Sequence, residues 1–438
     1  MESIIGKVDK ARWTGVHWLL FGSTSIGFFL WGLITSIAPL AYSSIQNVFF
    51  LIAPIIATLV GDLLLSYISD KIAGRKKMFI LTMSLYGIGT LLVAISALFS
   101  GGSSFSLPLL IMLSAGLILG IFSVEGEVPV MLSYLGENMP VKHRDKVLVL
   151  APNFDNIGAL VAALIFYGVY YVTDSFKIEL ISIAVAAAIS LGVAIALRLK
   201  LPESVRWLVT KGKINEAEKE VQRMEEDRRA QVIITSKRVS FWEKYAYLVI
   251  IGVSQYLTYG LMAFYVADFF FKGASYYLIM IMANAGASAG GFVAAYIVDK
   301  MLTRSFSLLS YVGGFITMLI IYLTNPYIGT YIMLFYSLLF LNMIFSEFAW
   351  AVRTIYEPAL MPNSLRAFLI GSIRAFPITL SAISVYVTSS WSFSSFLLYN
   401  LALWGVGAGA AIWWFIRGID TNRVPLEHTG GIKVRESA

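Results

Sequence analysis

The chain has 438 residues, 58% of them hydrophobic and 13% charged, with a mean hydropathy of +0.76. A water-soluble domain of this size cannot bury that much apolar surface, so lipid is the expected solvent. Its +7 net charge comes with no Cys and only three scattered His, at 17, 143 and 428. Those counts exclude disulfides, thiolate metal sites, Cys nucleophiles and a His metal cluster.

Six apolar stretches near 14–42, 49–69, 78–99, 107–135, 147–172 and 177–198 are followed by six more near 245–268, 275–298, 306–323, 328–357, 367–389 and 394–416. Each approaches or exceeds the roughly 20 residues that cross a hydrocarbon core as a helix. They lack the alternation of barrel strands, and unpaired backbone groups are not tolerated in hydrocarbon, so all twelve are predicted α-helical. The first run follows Lys7, Lys10 and Arg12 without a small-residue cleavage site and is expected to be a retained helix.

Of 33 Lys and Arg, only Lys177 and Lys272 fall in the alternate set of loops, and Arg353 and Arg374 lie inside helices. The rest sit in the tails or in loops 70–77, 140–146, 198–244, 299–304 and 366. The positive-inside rule therefore predicts a multi-pass cell-membrane protein with both termini in the cytoplasm. The positive charge reflects that topology and contact with anionic lipid, and does not point to nucleic acid.

A polar segment at 200–244 divides the helices six and six, and its Lys, Glu and Arg recur at helical spacing over 213–224, as on a surface helix. Asp70-Lys71-x-x-Gly74-Arg75 recurs as Asp299-Lys300-x-x-Thr303-Arg304, 229 residues later. Glu137-x-x-Pro140-x-x-x-Arg144 recurs as Ala359-x-x-Pro362-x-x-x-Arg366, offset by 222. Topology alone supplies the basic residues but not the Asp, the Pro and the spacing. The fold class expected is thus an all-α membrane protein of twelve transmembrane helices in two pseudo-symmetric six-helix bundles: 1–199, linker 200–244, 245–417 and tail 418–438.

On these motifs the chain resembles the major facilitator superfamily, and within it the sugar-porter and organic-acid branch. Asp70-Lys71-Ile72-Ala73-Gly74-Arg75-Lys76 is similar to that family's Asp-Arg-x-Gly-Arg-Arg loop with one extra residue before the Gly. Tyr134-x-x-Glu137-x-x-Pro140-x-x-x-Arg144 resembles the loop after helix 4. Pro202-Glu203-Ser204-Val205-Arg206-Trp207-Leu208, with Lys211-Gly212-Lys213, resembles the sugar-porter segment after helix 6, and Asp420-Thr421-Asn422-Arg423-Val424-Pro425-Leu426-Glu427 is a weaker echo of the closing motif. The resemblance implies a cytoplasmic gate network of Asp70, Lys71, Gly74, Arg75, Glu137, Arg144, Glu203, Arg206, Asp299, Arg304 and Arg366, with one arm missing because Ala359 replaces a Glu. The chain departs from the family at Trp31-Gly32-Leu33-Ile34, where the organic-acid branch often carries carboxylates. It departs again at Gln255-Tyr256-Leu257-Thr258-Tyr259, which loses two amides of the sugar porters.

Helical rise places several charges at mid-bilayer depth. Counting from the loops, Glu127 lies about 15 Å deep, Asp155 about 16 Å, Arg374 about 12 Å and Glu347 about 18 Å. Glu347 is the repeat counterpart of Glu125, and each such group would cost about 2.5–3.5 kcal/mol facing lipid. They are therefore expected to face the bundle interior, a partner or a water-filled cavity. Glu125 and Glu127 are about 200° apart on a helix and cannot share a face. Glu127, in a Gly-Glu-x-Pro segment similar to that of the organic-acid and niacin-type branch, is the expected coupling acid. Arg374 is expected to pair with Asp155 or Glu347, or to hold an anionic substrate. Gln255, Tyr256, Tyr259, Asn284 and Trp350 are candidate walls.

The function expected is secondary active transport of a small polar metabolite, organic anion ahead of sugar, by alternating access with proton coupling. The partners expected are that substrate, protons and lipid. No cofactor, no metal, no nucleic acid and a monomer are expected. No Walker sequence supports ATP-driven transport, and no His pair, metal spacing or Gly-x-Ser-x-Gly supports an enzyme. A transporter-fold sensor, a uniporter and an efflux carrier are the alternatives.

Overall fold

The computed structural model describes residues 2–430 apart from 46, 48, 102–104, 226, 228–231, 234–236 and 238. Twelve long helices cross it. In the first half these are α1 (Gly15–Thr35, continued by Ile37–Ile45), α2 (Phe49–Ile68), α3 (Gly74–Phe99), α4 (Leu107–Asn138), α5 (Val141–Leu150 and Phe154–Val172) and α6 (Phe176–Arg198). The second half holds α7 (Phe241–Gly260, a π-helical turn at Leu261–Tyr265, then Val266–Phe270), α8 (Ala274–Ile297), α9 (Thr303–Thr324), α10 (Ile332–Leu360), α11 (Arg366–Thr388) and α12 (Phe393–Arg417). Shorter helices at Glu2–Asp9, Val205–Thr210, Ile214–Val221 and Leu426–Thr429 lie on one face, which carries both described chain ends.

The repeat seen in two loop motifs extends to the packing. In the first half α4 packs against α1, α2 and α3, while α6 packs against α1 and α3, and α5 against α1. Advancing each number by six reproduces the same pairs in the second half. The halves meet chiefly along two seams, α2 with α11 and α5 with α8, which exchange under that operation. Such a pair of related bundles joined along two seams can rock as two bodies.

The seams are close because small residues line them. At Gly371 of α11 a Cβ would run into the Asp62 carbonyl of α2, and at Gly291 of α8 into the Asn153 side chain of α5. Lipid tails are as apolar as Leu, so helices associate in a membrane through such backbone approach and through hydrogen bonds. On the opposite faces Leu91, Ile111, Ile189, Ile316 and Tyr386 stay exposed, forming the belt that lipid would cover.

Candidate transport cavity and its gate

The intramembrane charges sort into separate clusters. Between the halves lies a cavity of about 160 Å³ whose walls include Trp31 and Thr35 of α1, Pro54 and Thr58 of α2, Glu125 of α4, Asp155 and Asn156 of α5, Gln255, Tyr256 and Tyr259 of α7, Glu347 and Trp350 of α10 and Arg374 of α11. It continues past Pro39, Phe50, Phe264 and Tyr265 toward the face opposite the chain ends. Helix propensity alone would disfavour Pro54, Pro129 and Pro377, but packed neighbours sustain the helices through them.

Arg374 is the cavity's guanidinium. It donates from Nε to Asp62 at 2.7 Å and from Nη2 to Glu125 at 2.7 Å. Its central carbon stands 5.5 Å from the Trp31 ring and 6.0 Å from the Trp350 ring, and those indoles are 6.1 Å apart. The third nitrogen, Nη1, has no hydrogen-bond partner among the described residues. The sequence pairs this Arg with Asp155 or Glu347, or leaves it to an anionic substrate; the α2–α11 seam instead delivers Asp62.

Asp155 and Glu347 come from different halves and both line the cavity, where Asn156, the residue after Asp155, reaches Glu347. Glu347 Oε2 accepts from Asn156 at 2.7 Å, Asn156 also donates to Asn153 at 3.2 Å, and Asn153 donates to the Ser288 carbonyl of α8 at 3.0 Å. One oxygen on each carboxyl, Asp155 Oδ1 and Glu347 Oε1, has no partner among the described residues. The amides are mostly engaged within the protein. Gln255 accepts from Arg353 at 2.7 Å, Arg353 pairs with Glu357 at 2.8 Å, and Asn284, which does not line the cavity, accepts from Tyr259 at 2.8 Å.

Glu127 sits elsewhere. Its carboxylate is gripped by Arg198 of α6, by 2.8 Å from Nη1 to Oε2 and a second contact from Nη2 to Oε1, with Thr82 of α3 donating as well. Tyr86 and Phe79 flank that guanidinium. The cluster lies wholly within the first half and does not line the cavity, because the 200° between Glu125 and Glu127 turns Glu125 to the cavity and Glu127 to the bundle core. Arg198 had been counted with the loop charges. A cation at the end of an unbroken apolar run was the signal that it belonged to the helix.

On the face bearing the chain ends the halves are latched together. Arg75 pairs with Asp70 at 2.6 Å and Glu137 at 2.8 Å, and Arg366 reaches Glu137 from the other half at 3.2 Å. The Phe368 N–H, also in the second half, donates to Asp70 at 2.8 Å. Gly74 holds φ of +80° to make this turn, and a Cβ there would strike Glu203. Glu203 accepts from the Arg75 N–H at 2.9 Å, an anion at the start of α3. Burial pushes the Glu203 carboxyl up, with those backbone N–H groups opposing. Lys71 contributes its carbonyl, which accepts from Lys211 at 2.9 Å.

The second-half copy does not mirror this. Arg304 pairs with Asp420 of the tail at 2.8 Å, and Asp299 is exposed and forms no ion pair among the described residues. The tail also supplies what the missing Glu at 359 withheld. Glu427 accepts from Arg206 at 2.9 Å and from Asn363 at 3.1 Å, while Arg206 also holds Asp9 at 2.7 Å and the Glu137 carbonyl at 2.6 Å. Arg144 donates to the Val424 and Thr421 carbonyls at 2.8 and 3.1 Å, and Thr429 donates to the Ala359 carbonyl at 2.5 Å. Burial pushes the Glu427 carboxyl up, but Arg206 outweighs it and holds the group at about 2. Burial likewise opposes the charge of Arg206, and Asp9 and Glu427 overcome it and raise the guanidinium.

Two related six-helix halves, a central cavity and a latch on one face define a membrane carrier. The Major Facilitator Superfamily model matches residues 19–377, and the chain belongs to that family. It is 24% identical over 448 aligned residues to the niacin transporter NiaP of Acinetobacter baylyi, covering 95% of this chain and 94% of that one. It is 27% identical to the putative niacin/nicotinamide transporter NiaP of Bacillus subtilis over 322 residues, 72% of each chain. Among solved structures, the proton:xylose symporter XylE bound to 6-bromo-6-deoxy-D-glucose superposes with a TM-score of 0.75 at 16% identity, over 94% of this chain and 98% of that one. The chain is accordingly a multi-pass membrane transporter and not an enzyme.

Proposed function

We propose that this carrier moves a small, flat aromatic acid of the pyridine-carboxylate kind across the cell membrane together with protons, by alternating access, with both termini cytoplasmic. The observation that carries the reading is Arg374, set against two indoles with one Nη1 uncommitted at the cavity wall. Indole faces suit a planar ring, and a guanidinium suits its carboxylate. Because Asp62 and Glu125 already occupy the other two nitrogens, a bidentate grip on a cargo carboxylate requires one of them to let go. Protonation of Glu125 does this, so anion and proton enter together.

The Gln255 carbonyl oxygen is already taken by Arg353, which leaves one acceptor fewer for the hydroxyls of a sugar and so favours an aromatic acid. The names of the two relatives point to the same chemistry. With the terminal face latched, the described state is the one whose cavity extends toward the far side. The bundles at 1–199 and 245–417 would be the rocking units, the linker 200–244 and tail 418–438 their cytoplasmic connections.

The test is uptake of labelled nicotinate, nicotinamide and xylose into proteoliposomes, with and without an inwardly directed proton gradient. Gradient-driven accumulation of nicotinate, abolished by a protonophore, is expected. Uptake that ignores the gradient, or a preference for xylose, would overturn the proposal.

A further inference from the structure

The cavity holds more acid than its cargo site uses. Arg374 is committed to Asp62 and Glu125, Arg353 to Glu357, and Arg198 to Glu127. That leaves Asp155 and Glu347, which line the same cavity and are joined through Asn156, with no cation in a salt bridge to either among the described residues. Glu347 is 3% exposed, and its unpartnered Oε1 belongs to a residue on the cavity wall. Two carboxylates that share a low-dielectric site cannot both stay ionised.

We infer that Asp155 and Glu347 form a proton-binding site between the two halves, distinct from the Arg374 cluster, in which one proton is held by the pair. This rests on the carrier reading but not on the identity of the cargo. The neighbours select a proton. Asn156 already donates to Glu347 Oε2, so a carboxyl O–H shared between Asp155 Oδ1 and Glu347 Oε1 would satisfy the two oxygens left over. The charged and titratable groups near the pair are Glu125 on α4 and Arg374 on α11, which act on Asp155, and Tyr259 on α7, whose hydroxyl donates to Asn284. The backing residues are Trp31 and Gly32 on α1 and Ser288 and Gly290 on α8, none of which titrates.

The consequence is mechanical. Asp155 moves with the first half and Glu347 with the second, so the proton joins the rocking bodies at their seam. When it leaves, two like charges oppose each other across that seam and drive it open.

The test uses purified full-length protein without cargo, followed by infrared difference spectroscopy of the protonated carboxyl stretch as pH is changed. Wild type is expected to show a protonated band that disappears as pH rises. Glu347→Gln and Asp155→Asn should each remove it; circular dichroism confirms folding of each variant. A band that persists unchanged in both Glu347→Gln and Asp155→Asn would overturn the inference, as would a band displaced by sodium rather than by pH. Failure of nicotinate uptake would overturn the cargo reading and leave this measurement standing.

Discussion

Replacing Glu427 by Gln tests whether the tail is part of the gate. The carboxylate accepts two hydrogen bonds from Arg206, at 2.9 and 3.4 Å, and one from Asn363 at 3.1 Å, linking the tail to the linker and to the second half. Its pKa is lowered from 4.5 to about 2. At about 1.4 kcal/mol per unit this corresponds to about 3 kcal/mol of preference for the ionised form in the latched state. Arg206 keeps Asp9 and the Glu137 carbonyl after the change, so the net loss is smaller, on the order of 1–2 kcal/mol, and the open-to-latched ratio should rise about 5- to 30-fold. Because the folded value lies below the unfolded one, this stabilisation is fully present above about pH 4.5 and lost as pH falls toward 2. Glu427 is therefore ionised at neutral pH in the latched state. The chain has no Cys, so a single Ser66→Cys on the α2–α11 seam gives a clean accessibility probe. Maleimide labelling from the terminal face should accelerate by that factor in the Glu427→Gln background. An unchanged rate would refute the tail's role.

Other substitutions separate the clusters. Glu127→Gln leaves Arg198 buried without its anion and should destabilise the protein by about 3–5 kcal/mol, read as a lowered Tm, while accumulation per folded molecule persists. Arg374→Lys cannot reproduce the fork, and binding of a carboxylate cargo by equilibrium dialysis should weaken at least about tenfold, or about 1.4 kcal/mol. Gly371→Ala drives a methyl into the Asp62 backbone across the seam and should cost about 1–3 kcal/mol, favouring the unlatched state in the same labelling assay.

Depth and repeat were legible in the sequence because both depend only on spacing along the chain. Helical rise from the loops placed Glu127, Asp155, Glu347 and Arg374 in one layer, and the last three line one cavity together with Glu125. Azimuth was not legible. Which way a side chain turns depends on how its helix sits among neighbours, so Glu127 was aimed at the cavity although it points to Arg198, and Asp62 was passed over although it grips Arg374. The gate network was what the resemblance of the loop motifs implied, and of its residues Arg75, Glu137 and Arg366 do meet. Asp299 forms no ion pair among the described residues, because a repeated sequence does not guarantee a repeated partner. Its counterpart Asp70 is held by the Phe368 N–H of the opposite half, whereas the tail takes Arg304 away to Asp420.

The same partner-by-partner view explains how one membrane layer can hold so many acids without being a single site. Each guanidinium fixes its carboxylate by geometry: Arg198 within the first half, Arg353 within the second, and Arg374 across the α2–α11 seam. On the proposed alternating-access cycle, an ion pair inside one half would travel with it and give no directionality, whereas a pair spanning the halves would be broken or remade in each cycle. Only the Arg374 cluster and the Asp155–Glu347 couple, among the described mid-membrane acids lining the cavity, meet that condition. A ligand that alters either one changes the relative energy of the two states, which is the requirement for coupling cargo to a gradient.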